Sequence, residues 1–151
     1  MNSRPPQAGF GLIEVLVSIL VLAVGMLGIA AMQATALRNS QSSYERTQGV
    51  VESYSIIDSM RANRAQALIG GYNLADWTCA APDSISLATN DLRGWIESMQ
   101  SPGSLGPTAC GQIDCDGDGC LVRVRWSDAR GSGDSANYDL DHYTVETRTL
   151  L

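Results

Sequence analysis

Gly9-Phe10-Gly11-Leu12-Ile13-Glu14-Val15 opens an apolar run that continues unbroken to Met32. From Val15 to Met32 there are 18 residues, and Ser18 is the only clearly polar one. At a rise of about 1.5 Å per residue, this is close to the roughly 20 residues that cross the hydrocarbon core of a bilayer. Glu14 stands out at its start. A charge inside such a segment costs on the order of 2.5–3.5 kcal/mol on insertion scales, so it asks for a counter-charge. Removing residues 1–9 would create one: an α-amino group on Phe10, four residues ahead of Glu14.

These residues resemble the class III signal of type IV prepilins. That signal is a short leader ending in Gly, then Phe, then a Leu-Ile-Glu core that opens an apolar helix. The resemblance implies that an inner-membrane prepilin peptidase cuts between Gly9 and Phe10 and methylates the new amine of Phe10. It also implies that Glu14 pairs with the N-terminal amine of an adjacent subunit during assembly. An ordinary secretory signal would be cut after its apolar core, at a small-x-small sequence such as Gly28-Ile29-Ala30-Ala31. That alternative leaves Glu14 without a role. It also needs an apolar stretch longer than the roughly 7–15 residues of such signals.

The 151 residues leave room for one anchor and one small domain. The division expected is a leader over 1–9, a transmembrane and assembly helix over 10–37, and a head over 38–151. The formal charge is −6, every basic residue is an Arg, and loss of Arg4 with the leader takes the charge to −7. An acidic chain without clustered cations argues against nucleic acid as a partner. Cys79, Cys110, Cys115 and Cys120 all follow the apolar segment. An even count in a small exported domain reads as a disulfide framework. Four cysteines allow three pairings, and Cys79–Cys110 with Cys115–Cys120 is the favoured one, because the second pair brackets a short Asp-Gly turn. A zinc site is disfavoured: there is no Cys-x-x-Cys, and His142 is the single His.

Along the chain, Pro5 and Pro6 keep the helix from starting before Phe10. The helical pattern runs on past Leu37. Val50, Tyr54, Ile57 and Met60, joined by Val51 and Leu68, form an apolar stripe on a 3.6-residue period, ended by Gly70-Gly71. One helix of nearly 60 residues is therefore expected, its second half packed on the following domain. Residues 72–90 read as a loop. Asp91–Met99 read as a short helix, capped by Thr89 or Asn90, with Leu92, Trp95, Ile96 and Met99 on one face. Gly103–Cys110 is a turn-rich connector. In Cys120–Trp126, Val122, Val124 and Trp126 alternate with Arg123 and Arg125, the pattern of a half-buried antiparallel strand. Residues 127–137 form a Gly/Ser/Asp loop, and His142–Leu150 is a last strand with Tyr143, Val145 and Thr147 inward. The fold class expected is α+β, pilin-like: a long N-terminal helix packed on a small antiparallel sheet.

Three further stretches narrow the resemblance. Ser59-Met60-Arg61-Ala62-Asn63 resembles the Met-Arg-Ala-Asn stretch of PilV-type minor pilins. Asp91-Leu92-x-x-Trp95 resembles the short helix that follows it, and Val122–Trp126 a late strand. This implies a structural subunit of a type IV pilus, anchored in the inner membrane with its head in the periplasm and later placed at or near the pilus tip. The implied partners are other minor pilins, the major pilin, the prepilin peptidase, the pilus assembly machinery and a tip adhesin. The alternatives are a minor pseudopilin of type II secretion and, from another class, a signal-anchored periplasmic enzyme or binding protein. No nucleophile–base pair or metal cluster is visible, so no enzyme and no cofactor is expected. One exception is carried forward: Asp114, Asp116 and Asp118, followed by Gly119, resemble the start of an EF-hand loop. Position twelve of that frame is Arg125 rather than Glu, so any calcium site would be weak. The competing reading is an Asp-Gly turn between two strands.

Overall fold

In the computed structural model the described residues are Gly9, 11–117, 119–128 and 142–151. Residues 1–8, Phe10, Asp118 and 129–141 lie outside them, and with them most of the expected 127–137 loop. The chain divides into two compact units, one ending at Leu37 and the other Arg38–Leu151. A single helix, α1 (Leu12–Ala62), runs through the boundary.

In the first unit α1 is long and apolar enough to cross a membrane, and its most apolar 18-residue window is wholly exposed. Its two hydroxyl side chains turn back on the helix. Ser18 Oγ donates to the Glu14 carbonyl at 2.7 Å and Thr35 Oγ1 to the Ala31 carbonyl at 3.1 Å. Each hydroxyl is thereby satisfied without water, as a hydrocarbon environment requires.

The second unit is a helical layer on one face of a four-stranded antiparallel sheet. After α1 come α2 (Arg64–Leu68), β1 (Leu74–Thr78), α3 (Leu87–Gln100), β2 (Cys110–Asp116), β3 (Gly119–Ser127) and β4 (His142–Leu150). The sheet order is β1-β2-β3-β4. The expected α+β class and the alternation of β3 hold. Val122, Val124 and Trp126 are buried under the helices while Arg123 and Arg125 face the other way.

Several boundaries differ from the sequence reading, each for a local reason. The long helix stops at Ala62, and Asn63 starts α2, receiving the amides of Gln66 and Ala67 on its carbonyl. α3 begins at Leu87, four residues earlier than expected, because Ser86 and Thr89 form a reciprocal capping box. The box uses Thr where Glu or Gln is usual, so it does not stand out in sequence. β1 replaces part of the expected 72–90 loop; it is short and irregularly paired, with a register shift between Leu74 and Thr78.

The buried face of α1 also corrects the expected stripe. Val51 and Tyr54 are each 52% exposed and Val50 40%, whereas Glu45, Gly49, Glu52, Ser53, Ile56, Ile57 and Met60 are buried. Two tryptophans explain the choice. Trp126 Nε1 donates to the Glu45 carboxylate at 3.1 Å, and Trp95 Nε1 to the Glu52 carbonyl at 3.0 Å. Buried indole N–H groups need acceptors: that of Trp126 uses a side-chain carboxylate, which an apolar stripe lacks, and that of Trp95 a main-chain carbonyl. The Glu52 carboxylate accepts from Gln48 Nε2 at 3.2 Å, Ser98 Oγ at 2.9 Å and Ser104 Oγ at 3.4 Å. It thus ties α1 to α3 and to the loop that follows α3.

Each indole rests on a glycine. A Cβ at Gly49 would lie 2.8 Å from the Trp126 ring, and one at Gly111 would lie 2.3 Å from the Trp95 ring. On an exposed helix, Gly→Ala gains up to about 1 kcal/mol in propensity. Here the sign should reverse. Gly49→Ala and Gly111→Ala should each destabilise the second unit by about 1–3 kcal/mol through overpacking. Denaturant unfolding of the full chain in detergent, followed by tryptophan fluorescence, is the check, and an unchanged or raised midpoint would contradict the packing.

Candidate functional site

The N-terminal end of α1 brings together the described residues of the expected processing and assembly segment. Glu14 lies in the first helical turn, its amide bonded to the Gly11 carbonyl at 3.0 Å. Its carboxylate is exposed and has no hydrogen bond or ion pair among the described residues. It sits at the N-terminal, positive end of a helix long and apolar enough to cross a membrane. Among the described residues, a Cβ added at Gly9 would meet nothing within 4 Å. Phe10, the expected new N-terminus, lies outside the described residues.

The two motif stretches from either side of β1 meet in the second unit. Asn63 Nδ2 donates to the Tyr72 hydroxyl at 3.2 Å, and that hydroxyl donates to the Asp91 carboxylate. Met60 and Trp95 enter the same core. The Met-Arg-Ala-Asn and Asp-Leu-x-x-Trp stretches are thus two halves of one structural clamp around a buried tyrosine. Arg61 completes it on the surface, with Nη2 donating to Thr149 Oγ1 of β4 at 2.9 Å.

The cysteines pair as favoured, Cys79–Cys110 and Cys115–Cys120. Cys110 alternates with Gln112 and Asp114 on the outer face of β2, while Cys115 shares the inner face with Ile113. The bridges therefore pin opposite faces of the sheet. The first closes a 31-residue separation and holds irregular β1 against β2; the second spans five residues across the hairpin. In the chain-entropy model, these constrain the unfolded chain by roughly 3–4 and about 2 kcal/mol respectively.

Of the carboxylates considered for calcium, Asp114 and Asp116 stand on the outer face of β2, and Asp118 lies outside the described residues. The ladder Asp114↔Leu121, Cys115↔Cys120, Asp116↔Gly119 leaves a two-residue hairpin turn at Gly117, whose φ is +60°. Positions six to twelve of the EF-hand frame are strand β3 rather than a wrapping loop, and Arg125 at the twelfth stacks its guanidinium 4.5 Å from the Trp77 ring centre. The described residues contain no group of three or more His, Cys, Asp or Glu side chains placed to hold a metal. His142 is exposed at the start of β4.

Sequence reasoning missed Glu45 and Glu52 as buried acceptors. The signal was there: two Glu one heptad apart, with Gly49 and Ser53 between and beside them, mark a face of close approach more than a solvated one.

Residues 4–30 match the prokaryotic N-terminal methylation motif. The chain carries a type IV pilin leader. The match spans the segment containing Gly9, Phe10 and Glu14. No curated protein and no solved structure matches the chain.

The Tyr72 clamp makes a pH-dependent prediction. Burial first, and then the bond to Asp91, push the Tyr72 pKa up to about 12 from 10.0, against a smaller opposing effect of Asn63. A phenol whose pKa rises on folding adds stability that is complete below its unfolded value and is lost as pH rises through the folded one. The wild-type unfolding midpoint should fall more steeply between about pH 10 and 12 than that of Tyr72→Phe. Parallel pH profiles would show that the clamp does not hold the phenol neutral.

Proposed function

We propose that this chain is a minor subunit of a type IV pilus, of PilV type, and acts in the complex that primes pilus assembly and remains at or near its tip. The leader would be cut between Gly9 and Phe10 by the prepilin peptidase, which would also methylate Phe10. The apolar part of α1 then anchors the subunit in the inner membrane until it is drawn into the fibre, with the disulfide-bonded head in the periplasm. Oxidising conditions there suit the two bridges. The observation that carries this reading is Glu14: a carboxylate at the start of a membrane span, within a methylation motif, without a partner among the described residues.

The physical role follows. Two charges in a low-dielectric environment are tolerable only together. Glu14 would be paired by the methylated amine of a neighbouring subunit as the helices come together, and the pair sets their axial register. The stretches Ser59–Asn63, Asp91–Trp95 and Val122–Trp126 favour the minor pilin over a minor pseudopilin of type II secretion. Other minor pilins, the major pilin and a tip adhesin are the partners this role requires.

Glu14→Val should leave membrane insertion and leader cleavage intact, because removing a charge favours the bilayer. It should abolish incorporation, measured as loss of the subunit from sheared pili and loss of surface pili. Gly9→Val should instead leave an uncleaved chain on a gel, since a cleft fitted to hydrogen cannot take a branched side chain. Normal amounts of the Glu14→Val subunit in sheared pili would overturn the assembly role, and normal cleavage of Gly9→Val would overturn the processing site.

A further inference from the structure

The two edges of the sheet are not alike. β1 has five residues, a register shift, and the Cys79–Cys110 bridge at its end. Short and irregular edges discourage pairing with other chains. β4 has nine residues, His142–Leu150, in unbroken register with β3 from Ser127↔His142 to Gly119↔Leu150. It contains no Gly or Pro, and its Tyr, Val and Thr residues favour strand. Among the described residues no strand lies on its far side. Alternate residues there present backbone N–H and C=O groups that pair with no strand among the described residues.

The outer face beside this edge is built in rows. The row Gln112–Arg123–Glu146 is closed: Arg123 donates to Gln112 Oε1 at 3.0 Å and to Glu146 Oε1 at 2.9 Å. The next row, Asp114–Leu121–Arg148, is open at the edge, since Arg148 is exposed and makes no hydrogen bond or ion pair among the described residues. In the row after that, Asp116–Gly119–Leu150, Gly119 contributes no side chain and Leu150 is 77% exposed. These last two rows frame a cavity of about 500 Å³, lined by Asp114, Asp116, Leu121, Arg148 and Leu150.

We propose that the β4 edge accepts an extended strand from another protein chain, with a carboxylate side chain facing Arg148 and an apolar one facing Leu150. Arg148 and Leu150 are two residues apart on one face, so the incoming strand must carry its acidic and apolar residues at the same alternate spacing. Glu146 is already neutralised by Arg123, so the position beside it carries no charge requirement. In strand addition the main chain supplies affinity, and alternate side chains, here facing the cavity, supply selectivity. A second copy of this chain is a poorer occupant. Antiparallel pairing of two β4 strands about Thr147 would set Glu146 against Arg148, and Glu146 is already committed to Arg123. The inference does not rest on the pilus reading.

The test uses the full-length chain in detergent and acetylated peptides matching β4 in length, of alternating Thr with one Glu and one Leu at alternate positions, in both sequence directions. In the free chain, half of the β4 amides should exchange rapidly with deuterium. The Glu peptide should protect them, and its backbone N-methylated version should not. Arg148→Glu should weaken binding about five- to tenfold by reversing a cross-strand pair, and should improve binding of the peptide with Lys in place of Glu. Three results would overturn the proposal: β4 amides already protected in the free chain, no peptide binding at millimolar concentration, or affinity unaffected by Arg148→Glu. Self-association of the free chain that Arg148→Glu abolishes would also overturn it, in favour of a second copy.

Discussion

Two indole N–H groups decide where the helix sits. Trp126 reaches the Glu45 carboxylate and Trp95 reaches the Glu52 carbonyl, so the β3 strand and the α3 helix are each fastened to α1 by a buried aromatic with a polar tip. An indole brings large apolar area and one donor that must be satisfied. The flat rings need flat ground, and Gly49 and Gly111 provide it. The Glu52 carboxylate gathers Ser98 and Ser104, Tyr143 stacks against Trp126 at 6.2 Å between centroids, and Arg46 of α1 lies 4.3 Å over the Tyr143 ring.

One helix therefore meets two different demands. In its first part, where Ser18 and Thr35 turn their hydroxyls inward, the only charge is Glu14 and no described group answers it. In its second part Glu45 and Glu52 are 0% and 4% exposed, and each is met by donors from the same chain. A buried carboxylate with its donors in place is tolerated; one without them costs several kcal/mol. The contrast divides the labour of the three glutamates. Glu45 and Glu52 hold the fold together, while Glu14 takes no part in it.

The sequence was most readable where one physical demand acted alone. The apolar run after Glu14, the alternation of Val122, Val124 and Trp126, and the Leu92, Trp95, Ile96, Met99 face each follow from simple burial. The bridge across the hairpin followed from five-residue spacing around a turn. Reading failed where polar atoms were buried for a purpose. Val51 and Tyr54 look like core and are half exposed, because the face turned inward is that of Glu45, Gly49, Glu52 and Ser53, where Trp126 finds a side-chain acceptor. β1 was missed because it is short and its pairing leans on side chains: Asn73 stands in for backbone, accepting from the Cys115 amide at 3.0 Å. The start of α3 was misplaced because Thr89 fills a capping position usually held by a longer side chain. At the N-terminus the motif was legible in sequence because it is written in residue identity alone.

The claim that buried polar contacts, more than an apolar stripe, fasten the head to α1 is tested most directly by a double-mutant cycle. Unfolding free energies of the full chain in detergent would be measured for Glu45→Ala, Trp126→Phe and the pair. Trp126→Phe keeps most of the ring and removes the donor. A coupling energy of about 1–3 kcal/mol is predicted, as for a buried hydrogen bond to a charged group. Additivity within about 0.3–0.5 kcal/mol would contradict the account and return the helix to an ordinary hydrophobic docking.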